Sequence, residues 1–239
     1  MRTRAGILLQ ARLGSTRLPG KALEPVGGCS ILERCLRRLI AGGVAHVVLA
    51  TTHASEDDAL AAIAARLGVP VFRGAEHDVL QRFAVAAEIF GFDPVIRATG
   101  DNPAVDIQAA GRVLAALRST GADYVVETGL PLGACVEGMT ASALRDAASA
   151  AIDPYDREHV TTFLRRRTDL FRVHTVPAPV SLHRPSLRLT IDTPADLASV
   201  RELFFRAGGD EPSLAELIAV SGREPQTAAS GDAPQTKVA

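Results

Sequence analysis

The stretch that most constrains this chain is residues 4–21, where a short apolar run leads directly into a loop rich in glycine and charge. Residues 5–9 are apolar, as in a strand that is buried on both faces of a sheet. In the following loop, Gly14 and Gly20 lack a Cβ, so backbone N–H groups can approach an anion closely. Fixed positive charge that can bind phosphate oxygens comes from Arg12, Arg17 and Lys21. The sequence therefore predicts a phosphate-binding loop after a strand.

Two common nucleotide-binding motifs do not describe this loop. A P-loop needs four residues between its glycines and a hydroxyl residue after its lysine. Here five residues separate Gly14 from Gly20, and Ala22 follows the lysine. The dinucleotide pattern Gly-x-Gly-x-x-Gly is also missing from the loop. Lys21 and Lys237 are the only lysines among 26 basic lysine and arginine residues, which suggests that a compact ammonium is required in the loop.

Composition excludes several classes of partner. The net charge of −1 predicts no general attraction to nucleic acid or to a membrane surface. The sequence contains no apolar run of 18 or more residues, so we expect no membrane span. The three cysteines, Cys29, Cys35 and Cys135, are odd in number and lack metal-binding spacing. They indicate reduced thiols in a cytoplasmic protein.

Strand and helix patterns alternate along the chain, which predicts an α/β fold with helices on both faces of a sheet. We expect helices to begin at capping residues Ser30, Ser55, Asp106 and Thr140. Asp57 and Asp58 would then lie in a first helical turn, where the helix dipole favours acidic residues. Strands are predicted at 44–51, 69–72, 94–98, 123–127, 170–176 and 187–191.

Two aspartates follow predicted strands. Asp101 comes after residues 94–98 and Gly100, at the strand end where open α/β sheets bind ligands. Asp101 could also form an Asx turn before Pro103. Asp192 ends the alternating segment 187–191, and Pro194 then begins a helix. Carboxylates in such positions suit a hard cation that bridges phosphates.

The run of residues 10–21, Gln-Ala-Arg-Leu-Gly-Ser-Thr-Arg-Leu-Pro-Gly-Lys, resembles the nucleotide-binding signature of the cytidylyltransferase family. This family includes the acylneuraminate and 3-deoxy-manno-octulosonate cytidylyltransferases. The branch that the chain resembles most is the spore-coat polysaccharide biosynthesis type, and the resemblance extends over residues 5–206. It implies a Rossmann-like nucleotide-diphospho-sugar transferase fold, with a mostly parallel central sheet flanked by helices and a small protruding subdomain. The implied domain is 1–221, with 129–185 as acceptor and dimerisation subdomain and 222–239 as a disordered tail.

The resemblance also implies a set of site residues. The catalytic residues would be Arg12, Lys21 and Asp101, and Mg²⁺ would be held by Asp101 and Asp192. The residues that bind substrate would be Gln10, Ala11, Gly14, Ser15, Arg17, Thr51, Thr52, Arg73, Gln81, Arg82, Thr99, Gly100, Glu137, Glu158 and His159. Cys135 stands where many relatives carry aspartate, which leaves the acceptor open. His159 could act as a general base, or Glu158 and His159 could simply cap and pack a helix.

The implied reaction is transfer of CMP from CTP to a small acceptor, with release of pyrophosphate, by a homodimer. The acceptor would be an acidic sugar or a compound that bears a phosphonate or phosphate. Two alternatives remain open: a nucleotidyltransferase that uses another nucleotide such as UTP, and a nucleotide-binding relative that has lost catalysis. A glycosyltransferase would be expected to show Asp-x-Asp after a strand, and Gly100-Asp101-Asn102 lacks the first acid.

Overall fold

The computed structural model describes residues 4–222, so nearly all of the predicted disordered tail lies outside the described residues. Strands and helices alternate through most of the chain. The strands are β1 (Arg4–Gln10), β2 (Pro25–Val26), β3 (Cys29–Ser30), β4 (His46–Thr52), β5 (Val71–Gly74), β6 (Phe92–Thr99), β7 (Tyr124–Thr128), β8 (Glu137–Met139) and β9 (Val173–Pro177). The helices are α1 (Ile31–Ala41), α2 (Asp58–Arg66), α3 (Val79–Phe90), α4 (Ala109–Thr120), α5 (Ala141–Ala150), α6 (Pro154–His159), α7 (Thr162–Arg166), α8 (Pro194–Ala207) and α9 (Leu214–Ser221).

Seven of these strands form one sheet in the order β5-β4-β1-β6-β8-β7-β9. β8 is antiparallel to both of its neighbours, and the other pairs in the sheet are parallel. From β1 the chain first builds outwards through β4 and β5, and it then returns to place β6 on the other side of β1. The order therefore reverses at β1, and ligands of open α/β sheets bind at such a point.

Apolar side chains cover both faces of the sheet. Within β1, Ile7 and Leu9 pack into one buried cluster and Leu8 packs into the other, because successive side chains of a strand point to opposite faces. The first cluster includes side chains of α1, α2, α4, α8 and α9, and the second includes those of α3, α5 and α7. The predicted mostly parallel sheet between helices is confirmed. Within residues 4–222, no helix has the length and apolar character that crossing a bilayer requires.

Helix starts were predicted with mixed success. Ser30 accepts a hydrogen bond from Glu33 N at 3.2 Å, and Thr140 caps α5 in the same way. The prediction for Ser55 was wrong, because Ser55 opens a 3₁₀ turn and α2 begins at Asp58 without a side-chain cap. The prediction for Asp106 was also wrong, because α4 begins at Ala109 and Gln108 is its N-cap residue. The Asp106 carboxylate lies before the helix, where it accepts from Gln108 N at 3.4 Å and from Arg112.

The predicted strand at 187–191 does not form. This segment makes a single parallel bridge, between Leu132 and Arg188. The amides of Leu189 and Thr190 both donate to Leu132 O, and the amide of Ile191 donates to Asp101 O. Gly133 permits this approach, since it has a φ of +96° and a Cβ there would lie 2.5 Å from Thr190 N. The segment is thus bonded to two loops and joins no sheet.

The interval 129–185, assigned from the sequence to an acceptor and dimerisation subdomain, contributes β8 and β9 to the main sheet. The same interval contains α5, α6 and α7. Its role in binding an acceptor or a second subunit stays a prediction.

Candidate active site

The candidate site lies at the carboxyl ends of the parallel strands. The last residues of β1 and β6, Gln10 and Thr99, are paired in register, so the loops that follow them begin side by side. Gly100 N donates to Gln10 O at 2.8 Å. A Cβ on Gly100 would lie only 2.8 Å from the Ala11 side chain, so glycine is needed where the two loops touch. The strand reversal thus places the predicted phosphate-binding loop next to Asp101.

The loop after β1 is held by a buried carboxylate. Leu13 N donates to Asp57 Oδ1 at 2.8 Å, and Leu13 O accepts from Ser15 N and Gly20 N. Asp57 is 1% exposed and its Oδ2 also accepts from the Thr51 hydroxyl at 3.0 Å. The sequence indicated only a first-turn acid at this position. The contact to Leu13 spans 44 residues along the chain, so no local pattern signals it.

Lys21 lies between the two predicted metal ligands. Its Nζ donates to Asp101 Oδ2 at 3.0 Å, to Asp192 Oδ1 at 3.1 Å and to the Ile191 carbonyl at 2.7 Å. The Lys21 side chain is only 13% exposed. Arg17 forms a second ion pair with Asp192 Oδ1 at 3.0 Å. The loop, the strand end at Asp101 and the segment before α8 therefore converge on one cluster of charges.

The two aspartates of this cluster are held by further hydrogen bonds. Asn102 donates to the Thr99 hydroxyl at 2.7 Å, and that hydroxyl donates to Asp101 Oδ1 at 2.7 Å. Arg188 donates to Asp192 Oδ2 at 2.8 Å. Burial by itself would raise the pKa of Asp192, but Lys21, Arg17 and Arg188 outweigh burial and hold that pKa below its ordinary value. Both carboxylates are thus fixed in position, and Asp192 stays ionised.

The set of donors fits a divalent cation that also binds phosphate. Asp101 and Asp192 contact the same ammonium, so their oxygens already converge on a positive charge. Among residues 4–222 there is no cluster of three or more histidine, cysteine or acidic side chains that could hold a metal alone. Mg²⁺ commonly uses one or two carboxylates and takes its other ligands from water and substrate phosphates. The pair Asp101 and Asp192 meets that requirement.

Arg12 and Arg82 supply positive charge beside this cluster. Arg12 contacts Glu76 at 3.2 Å and Glu158 at 3.5 Å. Arg82 is 3% exposed and donates to Ala75 O at 2.6 Å. Burial, reinforced by the nearby charge of Arg12, lowers the pKa of Arg82 to about 10. Arg82 therefore remains charged at neutral pH without an acidic side chain bonded to it among the residues that the structure describes.

Glu137 joins the sheet to the helices at the other side of the cavity. Its carboxylate accepts hydrogen bonds from Arg97, from the Tyr124 hydroxyl and, at 2.8 Å, from the Thr161 hydroxyl. Burial would raise the pKa of Glu137, but these three donors, with the charge of Arg97 the strongest influence, hold it below the ordinary value. Arg97 also donates to Gln10 Oε1 at 3.1 Å. Glu137 lines the cavity, yet both of its oxygens are bonded within the protein.

A strained turn follows His159. Val160 ends α6 with φ 60° and ψ −57°, and Thr161 N donates to His159 O at 2.6 Å. This geometry is that of a γ-turn, a rare conformation with positive φ, and β-branched residues adopt it least readily. Val160 is fully buried. The turn separates α6 from α7, so Glu158 and His159 face the cavity while Thr161 bonds Glu137.

Two adjoining cavities collect most of the predicted site residues. The larger is about 690 Å³ and the smaller about 290 Å³. The predicted residues that line one or both are Gln10, Ala11, Arg12, Ser15, Arg17, Lys21, Arg82, Thr99, Gly100, Asp101, Glu137, Glu158, His159 and Asp192. Hereafter, the loop end means Arg12, Arg17, Lys21, Asp101 and Asp192, and the turn end means Glu137, Glu158, His159 and Val160.

The other predicted residues lie away from the described lining of both cavities. Thr51 and Thr52 are buried and donate to Asp57. Arg73 forms an ion pair with Asp58 at 2.6 Å. Gly14 follows the residue held by Asp57, and Gln81 is exposed on α3. Gly14 and the buried threonines thus belong to the first loop and the carboxylate that supports it.

Sequence reasoning missed several residues that line the larger cavity, among them Glu127, Arg165 and Arg188. Glu127 is bonded to Arg112 through both of its oxygens. Cys135, which stands where many relatives carry aspartate, lines the same cavity. Burial, and then the negative charge of Glu137, raises the pKa of Cys135 to about 11, so this residue is a neutral thiol at neutral pH.

Comparison with known proteins identifies the family of this chain. The family model described as cytidylyltransferase matches residues 6–222. The chain belongs to the cytidylyltransferase family. It is therefore a CTP-dependent nucleotidyltransferase by family, as the resemblance of residues 10–21 predicted.

Individual relatives show the same relationship. The chain is 37% identical to the spore coat polysaccharide biosynthesis protein SpsF of Bacillus subtilis, over 95% of this chain and 97% of that one. It is 33% identical to a 3-deoxy-manno-octulosonate cytidylyltransferase of Gemmatimonas aurantiaca, over 73% of this chain and 77% of the relative. The solved structure of a cytidylyltransferase from Leptospira borgpetersenii superposes with a TM-score of 0.85 at 33% identity, covering 92% of this chain and 94% of that structure.

Proposed function

We propose that this cytidylyltransferase transfers CMP from CTP to a small acceptor and releases pyrophosphate in a Mg²⁺-dependent reaction. The observation that carries the proposal is the loop end, where Lys21 and Arg17 meet Asp101 and Asp192 beside the amides of the first loop. Positive charge for a triphosphate and carboxylates for a cation then lie within one cavity.

The residues of the loop end would act on the phosphates. The loop amides and the side chains of Arg12, Arg17 and Lys21 would bind the β- and γ-phosphates and stabilise the charge that the leaving pyrophosphate gains. Mg²⁺, held by Asp101 and Asp192, would neutralise negative charge on the phosphates. An acceptor oxygen would attack the α-phosphorus in line, and positioning by the cavity walls would favour that attack.

The turn end would bind the acceptor. Glu158 and His159 line the cavity beyond Arg12, and Glu137 supports the turn that carries them. Their position next to the first loop would place an acceptor beside the α-phosphorus. We propose an acidic sugar, or a small molecule bearing a phosphonate or phosphate, as the acceptor.

We also propose that the enzyme is a cytoplasmic homodimer. Two apolar side chains in the interval 129–185, Ile152 and Val180, are more than nine-tenths exposed. Apolar side chains with this exposure are often buried by a partner subunit. Light scattering coupled to size exclusion would give twice the 25.1 kDa chain mass for the dimer and the single chain mass otherwise.

The test of the proposed function needs no known acceptor. Thermal unfolding is followed with CTP, UTP, ATP, GTP and dTTP, each with and without Mg²⁺. A nucleotide at 100 times its dissociation constant stabilises the folded state by about 2.7 kcal/mol. We expect the largest shift with CTP, and we expect Mg²⁺ to enlarge it. A larger shift with UTP would identify UTP as the nucleotide substrate. An absence of any shift would indicate a relative without catalysis.

An acceptor screen by pyrophosphate release follows a CTP-selective shift. With one or more anionic acceptors, we expect the enzyme to form one pyrophosphate for each CTP that is consumed. Release that needs no acceptor would show hydrolysis of CTP and would contradict the transfer reaction.

A further inference from the structure

The ammonium group of Lys21 has no hydrogen atom left for a phosphate. An ammonium carries three N–H donors and accepts no hydrogen bond. In the structure Nζ donates to Asp101 at 3.0 Å, to Asp192 at 3.1 Å and to the Ile191 carbonyl at 2.7 Å. All three donors are therefore used within the protein. Contact between Lys21 and a triphosphate requires at least one of these bonds to break.

The same ammonium competes with a metal ion. The carboxylates that it contacts are the two that the proposed function assigns to Mg²⁺, and this inference rests on that proposal. A cation bound to Asp101 Oδ2 and Asp192 Oδ1 would meet the ammonium at close range. Two positive charges a few ångströms apart repel each other strongly where solvent is limited, and the Lys21 side chain is 13% exposed. Lys21 and the metal therefore cannot both occupy these oxygens.

We propose that Lys21 is a built-in counter-ion that is exchanged for the metal when the triphosphate binds. Before binding, the ammonium holds Asp101 and Asp192 together and keeps divalent cations from binding tightly. When metal and triphosphate arrive together, the metal takes the carboxylates and the ammonium turns to the phosphates. Neither cation then loses its counter-charge. The metal consequently binds weakly alone and tightly with nucleotide.

The surroundings allow this exchange with little movement of the backbone. Gly20 N is bonded to Leu13 O at 3.1 Å, and Glu24 N is bonded to Lys21 O at 3.0 Å, so the main chain on both sides of the lysine is fixed. The smaller cavity, lined by Ser15, Thr16 and Arg17 together with Lys21, lies beside the ammonium. Rotation about the side-chain bonds of Lys21 therefore moves the charge from the carboxylates towards the loop.

The first experiment measures binding of Mn²⁺ alone, in the absence of nucleotide, by the loss of the free-ion electron paramagnetic resonance signal. Lys21→Met removes the charge that contacts both carboxylates, while Arg17 and Arg188 stay on Asp192. We expect this variant to bind Mn²⁺ at least about tenfold more tightly than the wild type. Lys21→Arg keeps a charge between the carboxylates and should bind as weakly as the wild type. Arg172→Met is the matched control, because it removes one charge from an exposed ion pair with Asp123 before β7.

Equal Mn²⁺ affinity of Lys21→Met and the wild type would overturn the inference. Thermal unfolding without metal shows whether each variant is folded. If Lys21→Met is unfolded without metal, the wild type still provides a decisive measurement. The chain has two lysines, Lys21 and Lys237, so ¹³C-labelled lysine gives two side-chain signals. The signal that remains in the variant Lys237→Arg belongs to Lys21.

We expect the Lys21 signal of the wild type to stay in place with Mg²⁺ alone and to shift with Mg²⁺ and CTP together. A stationary signal in protein that is saturated with Mg²⁺ and CTP would refute the exchange. That result leaves the proposed function standing, because nucleotide binding has been shown in the same sample. Failure of the wild type to bind CTP in the thermal experiment would instead overturn both proposals.

Discussion

At the loop end, partly exposed ion pairs hold the charged groups, and in the exchange proposed above a ligand replaces their partners. Arg17 is 65% exposed where it contacts Asp192, and the Lys21 ammonium contacts the two carboxylates that we propose for the metal. At the turn end, the Glu137 carboxylate is buried and accepts from three donors of three different segments. The cavity is thus bounded by an exchangeable charge cluster on one side and a fixed hydrogen-bonded support on the other.

This difference suits the two substrates of the proposed reaction. A triphosphate brings several negative charges and a cation, so the groups that bind it need counter-charges before it arrives. An acceptor in the proposed reaction has to present one oxygen in line with the α-phosphorus, and orientation is then the main requirement. A rigid turn end meets that requirement. Removing a contact should therefore affect stability most at the turn end and catalysis most at the loop end.

The largest stability effect is expected for Glu137→Ala. The substitution leaves the Arg97 guanidinium, the Tyr124 hydroxyl and the Thr161 hydroxyl without their shared acceptor. Removing one partner of a buried ion pair costs about 3–5 kcal/mol in the free energy of unfolding. Urea unfolding measures this loss. Glu24→Ala, which removes an exposed partner of Arg201, is the control and should cost less than about 1 kcal/mol. Equal losses in both variants would contradict a rigid turn end.

The pH dependence of stability separates the charge of Glu137 from its shape. The pKa of Glu137 in the folded state lies below its ordinary value of 4.5. Its ionisation therefore stabilises the folded state fully above pH 4.5, and that contribution is lost as pH falls through the folded pKa. In Glu137→Gln this contribution is missing, so the stability gap between wild type and variant should narrow below pH 4.5. A gap that stays constant from pH 7 to pH 3 would show that charge is not involved.

The largest catalytic effect is expected for Asp101→Asn. The amide keeps the shape of the side chain but loses the charge that contacts Lys21 and that would hold the metal. We expect pyrophosphate formation to fall by about 100- to 1000-fold, the size of effect seen when one preorganised electrostatic contact is removed. The magnesium-dependent part of the CTP thermal shift should disappear as well. Asp123→Asn, before β7, is the control. Full turnover in Asp101→Asn would exclude Asp101 from the site.

The convergence of the loop-end residues was the part of the site that the sequence predicted best. The residues proposed to bind phosphate lie within one run, and Asp101 and Asp192 stand next to residues with clear turn or helix-start preferences. The tertiary links inside it were not predictable. The Leu13–Asp57 and Lys21–Asp192 bonds join residues 44 and 171 positions apart. The predicted strand at 187–191 was wrong because its alternating apolar residues have another cause. Leu189 and Ile191 are buried, but the backbone of the segment is bonded to loops.

The turn end gave weaker signals. Glu137, Tyr124 and Thr161 come from β8, β7 and the turn before α7, and sequence periodicity cannot show that they share one carboxylate. The strain at Val160 is also invisible in the sequence, because valine there contradicts the local preference for glycine at positive φ. Tertiary contacts, which impose this conformation on an unfavourable residue, override the local signal.

The smallest effect concerns the backbone of Val160 and tests the strain directly. Val160→Ala and Val160→Gly both remove the two methyl groups from a fully buried position, and only the alanine variant keeps a Cβ. Alanine usually makes a folded protein more stable than glycine by about 0.4–1 kcal/mol. At φ 60° we expect the reverse order, with the glycine variant more stable by about 1 kcal/mol.

Val125, which is fully buried in β7, provides the matched pair. Val125→Ala should be more stable than Val125→Gly, because a strand has the negative φ that alanine prefers. Urea unfolding of the four variants gives both differences. The same order at both positions would mean that Val160 bears no strain, and the turn end would then owe its rigidity to the hydrogen bonds of Glu137 alone. Opposite orders would show that the packing around α6 and α7 is strong enough to hold a costly turn, and with it His159, against the cavity.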